Sequence, residues 1–133
     1  MKIVIAWLLA VVLLATAFNI PSREVYAVEV LSLEEKIDKL ALEYHVNPLV
    51  AHAIISCESN YKEEARGTMA VVGTDIGTWQ INSYFHKESA NKRGLNIYNS
   101  DENLRYGMIL LFENGTAPWK SSKPCWSKKL LVA

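Results

Sequence analysis

Apolar residues follow two different rhythms along this chain. Residues 3–18 form an almost unbroken apolar run. From Ser32 the spacing becomes helical: Leu33, Ile37, Leu40, Ala41 and Tyr44 fall at the i, i+3, i+4, i+7 positions of one face. Ser32-Leu33-Glu34-Glu35 fits a capping box, in which hydroxyl and carboxylate each satisfy an orphan amide. Asn47-Pro48 predicts a second helix start, with Asn as cap and Pro in the first turn. Leu49, Val50, Ala53, Ile54 and Cys57 would point inward from it, and its apolar content predicts the most buried helix. Beyond Glu58 the chain turns polar. Residues 62–78 hold three glycines together with Val71, Val72 and Thr74, which predicts a small irregular hairpin. A third helix is expected over 83–93, ended by Gly94. Ser100-Asp101 would cap a fourth, with Leu104, Met108, Leu111 and Phe112 on one face and Asn114-Gly115 at its end. Residues 116–126 read as a loop pinned by Cys125. The sum is an α+β fold, mostly α, with a small β-hairpin.

Composition changes this picture at the N-terminus. The chain has 133 residues, 14 basic and 14 acidic, so it is one domain at most and no strongly basic nucleic-acid binder. Only Lys2 carries charge before Arg23. A positive start, an apolar stretch and Val25-Tyr26-Ala27 have the layout of a secretory signal, so 1–27 is read as a signal peptide and 28–133 as the domain. An uncleaved anchor is the alternative, since residues 3–22 could span about 30 Å of hydrocarbon; only then would the membrane be a partner. Either way the domain is expected outside the cytoplasm: secreted, periplasmic or in the cell envelope. Two cysteines in an exported chain, Cys57 and Cys125, predict a disulfide closing a loop of roughly 70 residues. Two separate buried thiols are the alternative. His45, His52 and His86 follow no ligand spacing, so neither metal nor cofactor is expected.

Glu58 is the candidate for chemistry. A carboxylate directly after Ala53-Ile54-Ile55-Ser56-Cys57 should sit at the core edge, where desolvation raises its pKa and suits it to general acid work. A Glu at a helix end is ordinarily solvated, and the neighbouring strings are what change the reading. Asn47-Pro48-Leu49-Val50-Ala51, Ala53-Ile54-Ile55 and Glu58-Ser59-Asn60-Tyr61 resemble the first motif of soluble-type lytic transglycosylases. Gly77-Thr78-Trp79-Gln80-Ile81-Asn82 is similar to their Gly-Leu-Met-Gln-Ile motif. Ser100 to Gly107 (SDENLRYG) resembles their third, built around Asn-Ile-x-x-Gly. The three occur in order over residues 33–113. The resemblance implies a lysozyme-like domain that cleaves the β-1,4 bond between N-acetylmuramic acid and N-acetylglucosamine. It makes Glu58 the catalytic acid and later base, with Ser59 positioning it or the leaving sugar. Gln80, Asn82 and Asn103 would line the cleft, and Tyr106 would face substrate or pack in the core. The implied partner is the peptidoglycan glycan strand, acted on by a monomer.

Two departures from the family pattern bear on the reaction. Four more residues than usual separate Glu58 from the Gly-x-x-Gln string, and they bring in Thr74-Asp75-Ile76-Gly77. Together with Gln80-Ile81-Asn82-Ser83 this is similar to animal-type lysozymes, which place a second catalytic carboxylate at the position of Asp75. Related strings occur in small secretion-system transglycosylases, and Asp75 could equally be a hairpin residue bonding local backbone. The family's late Tyr-Asn motif is absent, replaced by Gly115-Thr116-Ala117-Pro118-Trp119 and Ser122-Lys123-Pro124-Cys125-Trp126. Trp79, inside the cleft motif, is expected against substrate or beside Glu58. Trp119 and Trp126 are expected to pack the tail. Three functions follow: a lytic transglycosylase, a hydrolytic lysozyme using Glu58 and Asp75, or a non-catalytic wall-binding protein. Retention of Glu58 argues against the last.

Overall fold

The computed structural model describes residues 30–67 and 72–132. The leader expected over 1–27 and residues 68–71 of the expected hairpin lie outside these. Helix α1, Leu33–Glu43, opens with the predicted capping box: the Ser32 amide donates to Glu35 Oε2 at 2.7 Å, and the Glu35 amide donates to Ser32 Oγ at 3.2 Å. Its inward face is Ile37, Leu40 and Ala41. Helix α2, Pro48–Glu58, starts where Asn47 Oδ1 accepts from the Leu49 amide at 2.9 Å. It buries Ala51, Ala53, Ile54 and Ile55, whereas Leu49 is 57 % exposed. Apolar residues on nearly every side of α2 concealed which face turns inward.

Three two-residue strands form an antiparallel sheet in the order β1-β2-β3: Arg66–Gly67, Asp75–Ile76 and Ile81–Asn82. Arg66 pairs with Ile76, and Asp75 pairs with Asn82. The expected hairpin therefore gains a third strand, supplied by residues beyond 78. A tight turn over 77–80 makes this possible, with left-handed backbone at Gly77 (φ +73°) and Gln80 (φ +50°). Gly77 is required twice over, because a Cβ there would also lie 2.6 Å from the Asn103 side chain.

Helix α3, Ser83–Lys92, ends before Gly94, whose φ is +73°. Helix α4, Ser100–Asn114, is capped by Asn99, not by Ser100-Asp101: Asn99 Oδ1 accepts from the Glu102 amide at 3.0 Å, and the Ser100 hydroxyl donates to Glu64 instead. Seven of its fifteen residues are buried against four of eleven in α2, so α4 is the more deeply seated helix. Leu104, Met108 and Leu111 form the inward face as expected, while Phe112 is 62 % exposed. The tail is not a loop. A 3₁₀ helix, Ala117–Ser122, leads directly into helix α5, Lys123–Leu131. Pro118 and Pro124 each occupy a first turn, where a missing amide costs nothing. Helix α5 packs chiefly on α2, and the Cys57–Cys125 disulfide joins the two.

At the centre of the core Trp79 is fully buried, its indole Nε1 donating to the Leu104 carbonyl at 3.1 Å and its ring 4.8 Å from that of Trp119. Gly107 provides the space, since a Cβ there would overlap the Trp79 indole. Gly107→Ala should therefore destabilise the domain by about 1–3 kcal/mol, the usual cost of overpacking. A thermal melt checks this; an unchanged midpoint would show that the indole can yield.

Candidate active site

Glu58 is the last residue of α2. Ser59 caps the helix end with φ −131°, and Asn60 and Tyr61 follow in left-handed conformation (φ +51° and +62°), which turns the chain sharply away. Tyr61 is anchored by hydrogen bonds between its hydroxyl and His52, to the ring Nδ1 at 3.1 Å and the carbonyl at 3.3 Å. The helix end is thus left facing a cavity of about 210 Å³, with Glu58 half-buried on its wall.

The sheet supplies further polar wall. Asp75, Gln80 and Asn82 line the same cavity as Glu58. Asn82 Nδ2 donates to Asp75 Oδ1 at 2.9 Å and to the Val72 carbonyl, so the paired strands fix the direction of the Asp75 carboxylate. Gln80 Nε2 donates to the Gly77 carbonyl at 2.9 Å. The partner of Asp75 is thus a cleft side chain on the adjacent strand.

Four of the expected site residues are not on the cavity wall, and for Tyr106 this is the core packing expected as its alternative. Asn103 is 1 % exposed beneath the sheet; its Nδ2 donates to the carbonyls of Ile76 and Ile97, and its Oδ1 accepts from Thr78. It holds the strand that carries Asp75 and does not touch the cavity. Trp79 has no exposed face for a sugar ring. Tyr106 is buried, with its hydroxyl 3.3 Å from His86 Nδ1. Ser59 donates to the Ile55 carbonyl at 3.2 Å and bonds its own helix, not Glu58. In three of these cases a motif side chain bonds backbone carbonyls around the site, and Tyr106 bonds a side chain of the cavity wall, because a buried amide or hydroxyl must find a partner.

Sequence reasoning missed other wall residues. His86 and the 66 %-exposed Phe85, both from the first turn of α3, line the cavity, as do Pro118, Trp119 and Ser121 from the 3₁₀ helix. Trp119 does pack the tail, being 4 % exposed, and is also part of the wall. Ser122 touches Glu58 directly: its hydroxyl lies 2.5 Å from Glu58 Oε1. His86 carried a signal in its place just after the Gln80-Ile81-Asn82-Ser83 string. Ser122 carried none.

Burial is the main force on Glu58 and pushes its pKa up; the Ser122 hydrogen bond opposes this, and the Asp75 charge adds to it. Burial likewise lowers the pKa of His86. A carboxyl whose pKa is raised by burial, beside the Asp75 side chain and two amide side chains, can protonate a leaving oxygen bound in the cavity. Among the described residues no cluster of three His, Cys, Asp or Glu side chains is placed to hold a metal ion. No family model, curated protein or solved structure matches this chain.

Proposed function

We propose that this protein is a peptidoglycan-cleaving enzyme with a lysozyme-like fold, a lytic transglycosylase acting on the β-1,4 bond between N-acetylmuramic acid and N-acetylglucosamine. The observation that carries the reading is Glu58: a half-buried carboxyl on a cavity wall, with burial raising its pKa. The three ordered sequence motifs support it, as does their convergence on one region. Glu58 belongs to the first motif, Gln80 and Asn82 of the second stand on the cavity wall, and Asn103 of the third ties down the strand of Asp75. Glu58 would give its proton to the glycosidic oxygen as the C1–O bond breaks, the bonding pair remaining on that oxygen. The muramoyl N-acetyl group and 6-hydroxyl would complete the displacement, the 6-hydroxyl proton returning to Glu58. No second protein carboxylate is needed. The disulfide is compatible with the proposed location outside the cytoplasm, where glycan strands are the partner.

A second reading is favoured by one observation, the oriented Asp75 carboxylate in the same cavity. A retaining hydrolase uses two carboxyls about 5 Å apart, one as nucleophile. Mass spectrometry of muropeptides released from purified peptidoglycan decides. Transglycosylation leaves 1,6-anhydromuramoyl ends, lighter by one water than hydrolysis products. Reducing ends would transfer the reaction to the hydrolytic class, and no cleavage at all would remove the enzymatic reading.

A further inference from the structure

The Ser122 hydroxyl has one proton and two acceptors within reach, Glu58 Oε1 at 2.5 Å and the Trp119 carbonyl at 3.1 Å. A hydroxyl donates once, so it cannot serve both together. The two choices correspond to the two protonation states of Glu58. Facing a carboxylate, Ser122 donates to Oε1. Facing a carboxylic acid, it accepts the Glu58 proton and turns its own towards the Trp119 carbonyl. We propose that Ser122 is a switching hydroxyl that keeps Glu58 hydrogen-bonded, and in one place, in both protonation states.

Three features of the tail support this. Ser122 stands at the N-cap position of α5 yet makes no side-chain bond to the helix amides, the ordinary use of a serine there. The Trp119 carbonyl is a fixed acceptor: its indole Nε1 donates to the Trp79 carbonyl at 2.9 Å, its ring packs against that of Trp79, and its own carbonyl also accepts from Trp126 Nε1 at 2.9 Å. A carbonyl oxygen has two lone pairs, so the Trp126 bond leaves room for Ser122. The disulfide brackets the pair, joining Cys57, next to Glu58, to Cys125, three residues beyond Ser122.

Resting on the functional reading above, the switch has a use in the reaction. An acid that becomes a base passes through both states in each turnover. When substrate binds, the glycosidic oxygen replaces the Ser122 hydroxyl as acceptor of the Glu58 proton, and the Ser122 proton swings from the Trp119 carbonyl to Oε1, holding the carboxyl as its proton is transferred. When the attacking hydroxyl returns a proton to Glu58, it swings back. No proton is gained or lost by Ser122. Ser122 is a positioning residue, acting on Glu58 and not on substrate.

The test is a 13C NMR titration of the Glu58 side-chain carboxyl in the full domain without substrate, for the wild type, Ser122→Ala and Ser122→Thr. A bond to a charged group is the stronger of the two that are lost, so Ser122→Ala should shift the Glu58 titration to higher pH. Asp75 on β2 and His86 on α3, which share the cavity, are followed in the same spectra; Lys120 and Lys123, which flank Ser122, are exposed. Ser122→Thr keeps the hydroxyl and should restore the wild-type midpoint. If the alanine variant is too unstable to titrate, Ser122→Cys supplies a weak donor of similar shape and should shift in the same direction. On peptidoglycan, Ser122→Ala should lower kcat by about tenfold and move the alkaline limb of the pH–rate profile upward. An unmoved Glu58 midpoint, with only the melting temperature lowered, would reduce Ser122 to tail packing and overturn the proposal. A wild type that titrates as described but cuts no peptidoglycan would remove the functional reading and leave the switch standing.

Discussion

Glu58→Gln is expected to do two opposite things: abolish cleavage and raise stability at neutral pH. The amide cannot donate the proton that the leaving oxygen needs, and loss of a general acid costs on the order of 10²–10⁴ in rate. Stability follows from linkage. Burial makes the folded protein hold the Glu58 proton more tightly than the unfolded chain does, so folding is favoured most at low pH. That contribution is fully present below the unfolded carboxylate pKa and is lost as pH rises through the higher folded value. Gln carries no proton to lose. The melting temperatures of wild type and variant should therefore converge in acid and separate as the pH rises, the variant melting higher. Retained cleavage by Glu58→Gln would take the acid role away from this residue. Variant melting temperatures that track the wild type at every pH would contradict the burial of its charge. Asp75→Asn completes the comparison: it should keep substantial activity in a transglycosylase and little in a two-carboxylate hydrolase.

What the sequence made legible was local chemistry. The capping box at Ser32, the Asn47-Pro48 start, and the ends at Gly94 and Gly115 each depend on residues within one turn, and each is where the spacing predicts it. Glu58 stood out through the strings around it, since a Glu at a helix end is ordinarily solvated and the apolar run before it was only a partial signal. Facing was harder to read. Phe112 adjoins the buried Leu111 and is exposed, and Leu49 lies on a helix whose composition is apolar almost throughout. The tail misled through its composition: Pro118, Ser121, Ser122 and Pro124 suggest a loop, but prolines in first turns are compatible with two successive helices. Motif membership also failed to separate residues that touch a ligand from those that hold the site. Trp79 and Asn103 are deeply buried supports, whereas Gln80 and Asn82, from the same stretch as Trp79, reach the cavity. Ser122 was beyond any local rule. It meets Glu58 across 64 residues, and only the path of the whole tail brings it there.

That path makes the disulfide the most consequential structural bond in the molecule. Cys57 and Cys125 are 68 residues apart in the chain, with Cα atoms 6.0 Å apart. Releasing a loop of that length gives the unfolded chain conformational freedom worth about 4 kcal/mol in the chain-entropy model. For a domain of about 100 residues, where 1 kcal/mol moves the midpoint by roughly 4–8 °C, the Cys57→Ser/Cys125→Ser double variant should melt on the order of 20 °C lower. The same loss should follow reduction of the wild type. The bond also has a local effect that the entropy does not describe. Helix α5 packs chiefly on α2, and the bridge sets where α5 begins against the end of α2, so it also sets the approach of Ser122 to Glu58. At a temperature where both proteins are fully folded, the double variant should therefore still show a lower kcat and a displaced Glu58 titration. Calorimetry under oxidising and reducing conditions, paired with rates measured well below both midpoints, separates the two effects. Two reactive thiols in the purified, unreduced protein would remove the covalent premise. A variant that melts early but turns over normally when folded would confine the disulfide to global stability and leave the Trp79–Trp119–Trp126 packing to place the tail.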